Sequence, residues 1–399
     1  MTYPSTATTW LPSAPKPTAT RFALLFAIES LARATISGVV AIQAYDLVHS
    51  SQKVSEIFTV VGVLTLCGTL TIPTLIAWTA RRFVYSLGAV CLMLAALAFI
   101  TFTIPGQMGG MLLRNFGAAC LSITLNLYIL DHIPRSTFVR AEPQRLAMST
   151  LSWTLGPALG IYLYTRYGVW APHCFSAVVA FVVLLLFAYL RLTETIGPAK
   201  LKPPPNPLAG VSRFVAQPRL RLAWLVAFGR SCFWTTFFTY GPLLMVTSGM
   251  SKTTGGLLVS AGNAVLVTAV LAGRIAERVG VRKVISGAYL AAAVCAAAAG
   301  TAGFFQLPVL AAVFLIGGAL AASCLDGIGS IPFLRAVRTR ERAAMTGVYR
   351  TYLELSDLIP SAVYAVALLF APVSVTFVLL ALWMMICGVI TWTYLPRSL

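Results

Sequence analysis

Along the chain, long apolar runs alternate with short breaks that are basic or rich in Pro and Gly. Twelve runs of helical length stand out, at 22–45, 54–80, 84–104, 108–131, 147–166, 171–190, 222–246, 254–276, 284–304, 308–334, 344–370 and 373–395. The hydrocarbon core of a bilayer is about 30 Å thick and takes about 20 helical residues to cross, so each run has the length of a membrane span. Within the runs the apolar positions are continuous rather than alternating in period two, which predicts helices and excludes a β-barrel. The expected fold is an all-α membrane protein of twelve transmembrane helices in two six-helix bundles.

The breaks divide the chain. A Pro/Thr/Ser-rich lead at 1–21 predicts a flexible cytoplasmic tail, too polar to be a secretory signal. A first bundle is expected over 22–191 and a second over 222–399. Between them, 192–221 holds Pro203-Pro204-Pro205 and reads as a cytoplasmic linker. Within it, Asn206-Pro207 opens a short helix with Leu208, Val211, Phe214 and Val215 on one face, suited to lie on the inner leaflet.

Composition narrows the class. The chain is 58% hydrophobic and 10% charged, whereas soluble domains carry about 25% charged residues. A soluble enzyme or a nucleic-acid binder is thereby excluded. The net charge of +18 reflects topology rather than an acidic partner, because 22 Lys and Arg residues fall in one set of alternate loops and only Lys53, Arg166 and Lys252 in the other. The positive-inside rule then places both termini in the cytoplasm. The eight cysteines lie in apolar runs without CxxC spacing and read as core thiols, not disulfides or metal ligands.

The two halves repeat weakly. Shifted by 200 residues, Arg21, Ala23, Leu25, Ala27 and Thr35 meet Arg221, Ala223, Leu225, Ala227 and Thr235; shifted by 197, the segment from Arg145 to Ser149 meets that from Arg342 to Thr346. Two matches in the same order indicate a duplicated half.

Eight ionisable residues interrupt the runs: Glu29 and Arg33, Arg114, Arg230, Asp326, and Arg350, Glu354 and Asp357. Each costs roughly 2.5–3.5 kcal/mol at mid-helix, so they must face water, solute or one another. Runs 1, 4, 7 and 10 each carry at least one, and runs 3, 6, 9 and 12 carry none inside. The first and fourth helices of each half are therefore expected to line a central polar cavity, with the third and sixth facing lipid.

Local spacing adds detail. Glu29 and Arg33 stand at i, i+4, within reach of an intrahelical pair. Arg350, Glu354 and Asp357, extended by Ser361 and Tyr364, form one stripe; Asn115, Ser122 and Asn126 form another. Arg230 is followed by Trp234 and Phe237 along one side of its run, a cation beside aromatic surface suited to an amphiphilic or planar solute. Snorkelling to the interface competes with a cavity role for Arg230 and Arg350, and plain packing competes for the aromatic stripe. A carboxylate held away from bulk water is a natural proton carrier, and a neighbouring arginine for which solute competes links proton to solute. Glu29, Asp326, Glu354 and Asp357 are the candidate proton-coupling residues; Arg33, Arg114, Asn126, Arg230, Trp234, Phe237 and Arg350 are the candidate solute-binding residues.

The turn Gly273-Arg-Ile-Ala-Glu277-Arg278-Val-Gly280-Val-Arg282-Lys283 resembles the G-x-x-x-[DE]-R-x-G-x-R-[KR] signature of major facilitator superfamily transporters. Its glycines suit a tight turn and close helix approach, while its acid and arginines can pair with neighbouring helix ends in one conformer and release in another. The corresponding first-half turn keeps Arg81-Arg82 but lacks the glycines and the acid. Gly156-Pro157-Ala158-Leu159-Gly160 resembles the core of the motif of that family's drug and metabolite:proton antiporters, and Leu113-Arg114-Asn115 resembles its fourth-span arginine motif. Gly156, Pro157, Gly273, Glu277, Arg278, Gly280 and Arg282 are thus candidate conformational-switch residues. The resemblance implies two bundles around a midplane site that rock against each other.

The expected function is proton-coupled secondary transport of a small amphiphilic or charged organic solute, with export by antiport as the first reading. The second is import by symport of a polar or zwitterionic nutrient or metal chelate. An enzyme is not expected: His49, His132 and His173 lie near loops and assemble neither a metal cluster nor a nucleophilic triad. No cofactor, metal or nucleic acid is expected. The expected partners are the solute, protons and the bilayer, for a monomer in a bacterial cytoplasmic membrane.

Overall fold

Segments this apolar leave no water for their backbone N–H and C=O groups, so they satisfy them internally as helices. The computed structural model describes residues 19–132, 135–190, 207–337 and 342–396, and all regular structure there is helical. The first half holds α1 (Ala19–Val48), α2 (Ser51–Thr69), α3 (Ile72–Trp78), α4 (Arg81–Ile100), α5 (Ile104–His132), α6 (Arg135–Tyr167) and α7 (Trp170–Leu190). After α8 (Pro207–Val215), the second half holds α9 (Pro218–Thr247), α10 (Lys252–Val265), α11 (Ala269–Val279), α12 (Val281–Phe304), α13 (Pro308–Ile328), α14 (Ile331–Ala336), α15 (Arg342–Ala367) and α16 (Ser374–Tyr394).

Every expected run falls on one helix or on a pair joined by a short break. Run 54–80 becomes α2 and α3, where Pro73 starts a new helix, and run 308–334 becomes α13 and α14, where Pro332 does the same. Run 254–276 bends by 48° between α10 and α11. Among the described residues eight helices or helix pairs are long and apolar enough to cross a membrane, and the bent pair makes a ninth. The long helices α6, α9 and α15, of 33, 30 and 26 residues, fall outside that measure because they carry polar and charged positions.

In the first half α1 packs on α6 and α7, and α4 on α5 and α7; in the second, α9 packs on α10, α13, α15 and α16, and α12 on α13 and α16. The outward faces are apolar. Leu94 and Leu97 of α4, Val178 and Leu185 of α7, Val294 of α12, and Ile386 and Val389 of α16 are all exposed. These helices are runs 3, 6, 9 and 12, the ones without an internal charge.

The halves meet through α6 against α10 and α2 against α15, with α1 touching α9 and α10. Side-chain links concentrate at the end remote from the basic loops. Lys252 Nζ pairs with Asp46 Oδ2 at 2.6 Å, and the Tyr164 hydroxyl donates to the same oxygen at 2.6 Å. Ser55 Oγ and Tyr240 OH lie 2.7 Å apart, and the Ala158 N–H donates to Ser260 Oγ at 3.0 Å. Beyond this seal the halves part around a cleft.

The expected boundaries shift in places. Helix α9 begins at Pro218, inside the expected linker, and the preceding α8 is docked rather than free: Phe214 is buried with Leu220, Phe333, Met345 and Tyr349. Val211 and Val215 stay exposed, so only part of the apolar face is left for a leaflet. Cys67 and Cys174 are exposed on α2 and α7 rather than in the core, because those helices turn these positions outward; all eight cysteines are free thiols. The tail over 1–18 and the linker with Pro203-Pro204-Pro205 lie outside the described residues.

Candidate functional site

The first-half wall of the cleft is built on α1 and α5. One helical turn separates Glu29 from Arg33, and the guanidinium meets the carboxylate at 3.3 Å. Glu29 is fully buried, so the pair presents Arg33 to the cleft, with its guanidinium 5.9 Å from the ring centroid of Trp153 on α6. Arg114 of α5 donates to the Arg33 carbonyl at 3.2 Å and to Asn115 Oδ1 at 3.4 Å. It therefore reaches α1, although it starts from the far end of its own run. Asn126 lies half-buried further along α5. The net character of this wall is cationic.

The second-half wall is built on α9, α13 and α15. Arg230 meets Asp326 Oδ1 at 3.1 Å, and the Trp234 indole N–H donates to Asp326 Oδ2 at 2.8 Å. Both Asp326 oxygens are thus held by α9. Arg230 also donates to the Tyr352 hydroxyl at 3.1 Å, so it is drawn into the wall rather than snorkelling to the interface. A polar ladder joins α9 to α15: Trp224 to Thr351, Ser356 to Ser231, Thr235 to Asp357 at 2.7 Å, and Thr236 to Tyr364. The α15 stripe runs from exposed Arg350 and Asp357 in the cleft to buried Ser361 and Tyr364 beside the seal. Glu354 is half-buried between Arg350 and Asp357 and in electrostatic range of both.

Across the cleft, Arg114 feels the like charge of Arg33 and the opposite charge of Asp357. The site is a water-accessible slot with cations on one wall and carboxylates on the other, embedded in apolar helices. Such a slot binds charged groups and moves them only if the walls exchange sides, which is a carrier's arrangement. Residues 22–359 match the Major Facilitator Superfamily. The chain belongs to this family of transporters.

Solved structures agree on the fold. A peptide transporter POT in complex with sulfate superposes with a TM-score of 0.76 at 15% identity, over 96% of this chain and 97% of that one. The nucleoside transporter NupG gives 0.70 at 12%, over 94% and 99%. A POT family transporter in complex with 5-aminolevulinic acid gives 0.72 at 13%, over 92% and 94%. No curated protein matches the chain.

The superfamily motifs take distinct places. Gly280 joins α11 to α12 at φ +98°, a conformation that glycine adopts without strain. Gly273, by contrast, has nothing within 4 Å of a built Cβ, so the close helix approach expected there is not made in this conformer. Arg282 donates to the Trp392 carbonyl at the end of α16 and lies over the Trp392 ring. Glu277 and Arg278 are exposed. In α6, a Cβ on Gly156 would lie 2.7 Å from Ala34 Cβ, and one on Gly160 would run into the Thr35 carbonyl. This stretch is where α6 and α1 lie backbone to backbone, and its Ala158 N–H reaches across to the other half.

Phe237 is the sequence-predicted solute contact that the cleft does not receive. It is fully buried, packed on Phe233, Trp234 and Phe238 and against Gly262. Sequence reasoning passed over Asp46, Tyr164, Trp153, Thr235 and Tyr352, none of which stands in a charge pattern within its own helix. It also passed over a buried network in which His173 Nε2 lies 2.6 Å from Gln43 Oε1 and Gln43 donates to the Phe99 carbonyl. That histidine pins α7 to α1.

Proposed function

We propose that this transporter is proton-coupled and carries a small zwitterionic organic solute by alternating access, with proton antiport and export as its working mode. The observation that carries the reading is the opposed charge of the cleft walls: Arg33 and Arg114 on one side, exposed Asp357 with Glu354 on the other. A solute bearing a carboxylate and an ammonium satisfies both walls at once, and a hydrophobic neutral solute satisfies neither. Asp326 is already held by Arg230 and Trp234, which leaves Asp357 as the carboxylate open to a solute cation.

The coupling sign follows from which carboxylate takes the proton. A proton on Asp357 competes with the solute ammonium, so binding of one expels the other, which is antiport. A proton on Glu29 instead releases Arg33 to a solute carboxylate, so proton and solute bind together. The exposure of Asp357 favours the first arrangement, and the antiporter-like Gly156-Pro157 stretch points the same way. The burial of Glu29 behind Arg33 supports symport of a zwitterionic nutrient as the second reading. With the basic loops in the cytoplasm of a bacterium, the sealed end faces outward and the cleft opens inward.

The test has two steps. A thermal-shift screen of purified protein against dipeptides, amino-acid derivatives, nucleosides, sugars and lipophilic cations should show stabilisation by zwitterions, since a ligand that binds only the folded state raises Tm. Stabilisation by neutral sugars alone would overturn the solute class. Proteoliposomes loaded with the hit are then given a pH jump. Efflux driven by external acid that is lost in Asp357→Asn supports antiport, and acid-driven uptake lost in Glu29→Gln supports symport; transport by the unsubstituted chain that ignores the pH gradient, or pH-driven transport undiminished in both variants, would reject proton coupling through these carboxylates.

A further inference from the structure

A further pocket lies at the sealed end, outside the transport cleft. It is a cavity of about 270 Å³ where the α1–α2 junction of the first half meets the end of α9, Gln306 after α12, and the α15–α16 junction of the second. The seal's Asp46 precedes Ser50 in the chain, and its Lys252 follows Ser248, each by a few residues. Ser50, Ser51 and Gln52 come from one half and every other lining residue from the other. The pocket is therefore complete only while the two halves touch at this end.

The polar groups of the lining are hydroxyls and amides, and among the described residues no charged side chain takes part. Several have hydrogen-bonding capacity left over. The hydroxyls of Ser51, Ser248 and Ser374 make no hydrogen bond among the described residues, and Ser374 is only 3% exposed. Buried hydroxyls are normally paired, so this one points to an occupant. Gln52 uses its amide N–H on Glu56, which leaves its carbonyl oxygen as an acceptor. Gln306 ends α12 at φ +56°, where a glycine would sit with less strain, and it brings a second amide to the pocket. Donors and acceptors thus stand side by side without a counter-charge. A hydroxyl group is both donor and acceptor and satisfies either kind. A charged solute would lose its hydration with no opposite charge to meet it, and an apolar one would leave the hydroxyls unpaired. The volume is just under the ~300 Å³ at which pockets for drug-sized ligands begin, which sets the size at a monosaccharide or a cyclitol. We propose that this pocket binds a small neutral polyol and that the occupant, touching both halves, holds the sealed end shut. A ligand that fits only one conformer shifts the population toward it, whatever solute the cleft carries.

The test is equilibrium dialysis of the detergent-purified full chain with labelled myo-inositol. Binding should saturate at a single site, and glycine betaine, small but zwitterionic, should not compete. The double variant Ser374→Ala, Gln306→Gly should weaken binding at least about tenfold, the loss expected when one or two hydrogen bonds go unmade. Asp357→Asn, in the cleft, should leave it unchanged. The Gln306→Gly change suits the backbone of that turn, so the double variant should melt close to the unsubstituted chain. Closure is read from spin labels on cysteines introduced at the exposed positions Lys53 and Thr253, one on each half, with the native cysteines replaced by serine or alanine. In a Lys252→Met background, which weakens the seal, myo-inositol should narrow the distance distribution toward its shorter component. Binding that never saturates, competition by glycine betaine, undiminished binding in the double variant, or loss of binding in Asp357→Asn would each overturn the polyol site. A distance distribution that myo-inositol leaves unmoved would overturn its closing role.

Discussion

The two walls of the cleft solve the same problem differently. Each must keep an arginine and a carboxylate inside an apolar bundle. The first half does so on a single helix, with Glu29 and Arg33 four residues apart on α1. The second half does so between helices, with Arg230 on α9 and Asp326 on α13, and adds Trp234 and Tyr352 as further partners. The intrahelical pair itself fastens no second helix; α1 is held instead by the Arg114 bond to the Arg33 carbonyl, the His173–Gln43 contact and its close packing on α6. An interhelical pair fastens α9 to α13, and with the ladder to α15 it makes one wall of three helices. Among the described residues, charge therefore fastens helices to one another only in the second half, whereas the first half relies on neutral bonds and close packing around α1.

The largest expected effect breaks that fastening. Asp326→Asn leaves Arg230 beside Tyr352 without a counter-charge, and breaking a buried pair this way costs about 3 kcal/mol, at the low end of the usual range because water reaches both groups. Tm should fall by several degrees and transport should be lost. The double variant Arg230→Gln, Asp326→Asn removes both charges and should recover most of the stability but not the transport. Equal melting of the single and double variants would show that the pair is not what holds α9 to α13.

Two of the motif glycines, one in each half, stand in opposite surroundings, and the same substitution should have opposite signs at the two. Gly160→Ala sets a methyl group against the Thr35 carbonyl and should destabilise by about 1–3 kcal/mol as α6 is pushed off α1. Gly273→Ala meets open space in the helix α11 and should stabilise this conformer by up to about 1 kcal/mol through helix propensity. Thermal melts of the two variants in one detergent check the contrast. A destabilised Gly273→Ala would mean that a helix approaches there in a conformer that is well populated in solution.

These contrasts also mark what the sequence disclosed. The twelve runs, the uncharged outer helices and the Glu29/Arg33 pair were readable because each depends on spacing within one helix, where side-chain position follows from residue number. The partner of Arg230 was not readable, since Asp326 lies far along the chain and only packing brings α9 and α13 together. The seal was missed for the same reason: Asp46, Tyr164 and Lys252 come from three helices. Phe237 shows the converse. Its place on the same side of the helix as Arg230 suggested a cleft residue, but a stripe on α9 is wide enough to turn from the cleft at Trp234 into the core against Gly262.

A milder test concerns the intrahelical pair. Glu29→Gln keeps a hydrogen-bond acceptor for Arg33 and removes the charge; because the two residues share one helix and Arg33 is partly open to the cleft, stability should fall by about 1 kcal/mol or less. If charge fastens helices only in the second wall, this variant should retain solute-induced stabilisation while Asp326→Asn does not. Ligand-dependent melting curves for both variants distinguish the walls directly, and equal loss in both would erase the asymmetry between them.

The smallest effect lies at the seal, where the two walls touch. Lys252 and Asp46 are partly exposed, at 35% and 19%, and a pair this accessible is worth about 1 kcal/mol or less. Lys252→Met should therefore leave folding nearly unchanged. That same 1 kcal/mol, however, acts only in the conformer in which this end is closed, and a shift of that size changes a two-state ratio by up to about fivefold. With the native cysteines replaced by serine or alanine, a single cysteine introduced at Thr235, in the cleft beyond the seal, should be labelled faster from the sealed side in Lys252→Met than with Lys252 in place. An unchanged labelling rate would mean that Ser55 with Tyr240, and the packing of α2 on α15, hold the sealed end shut without the ion pair.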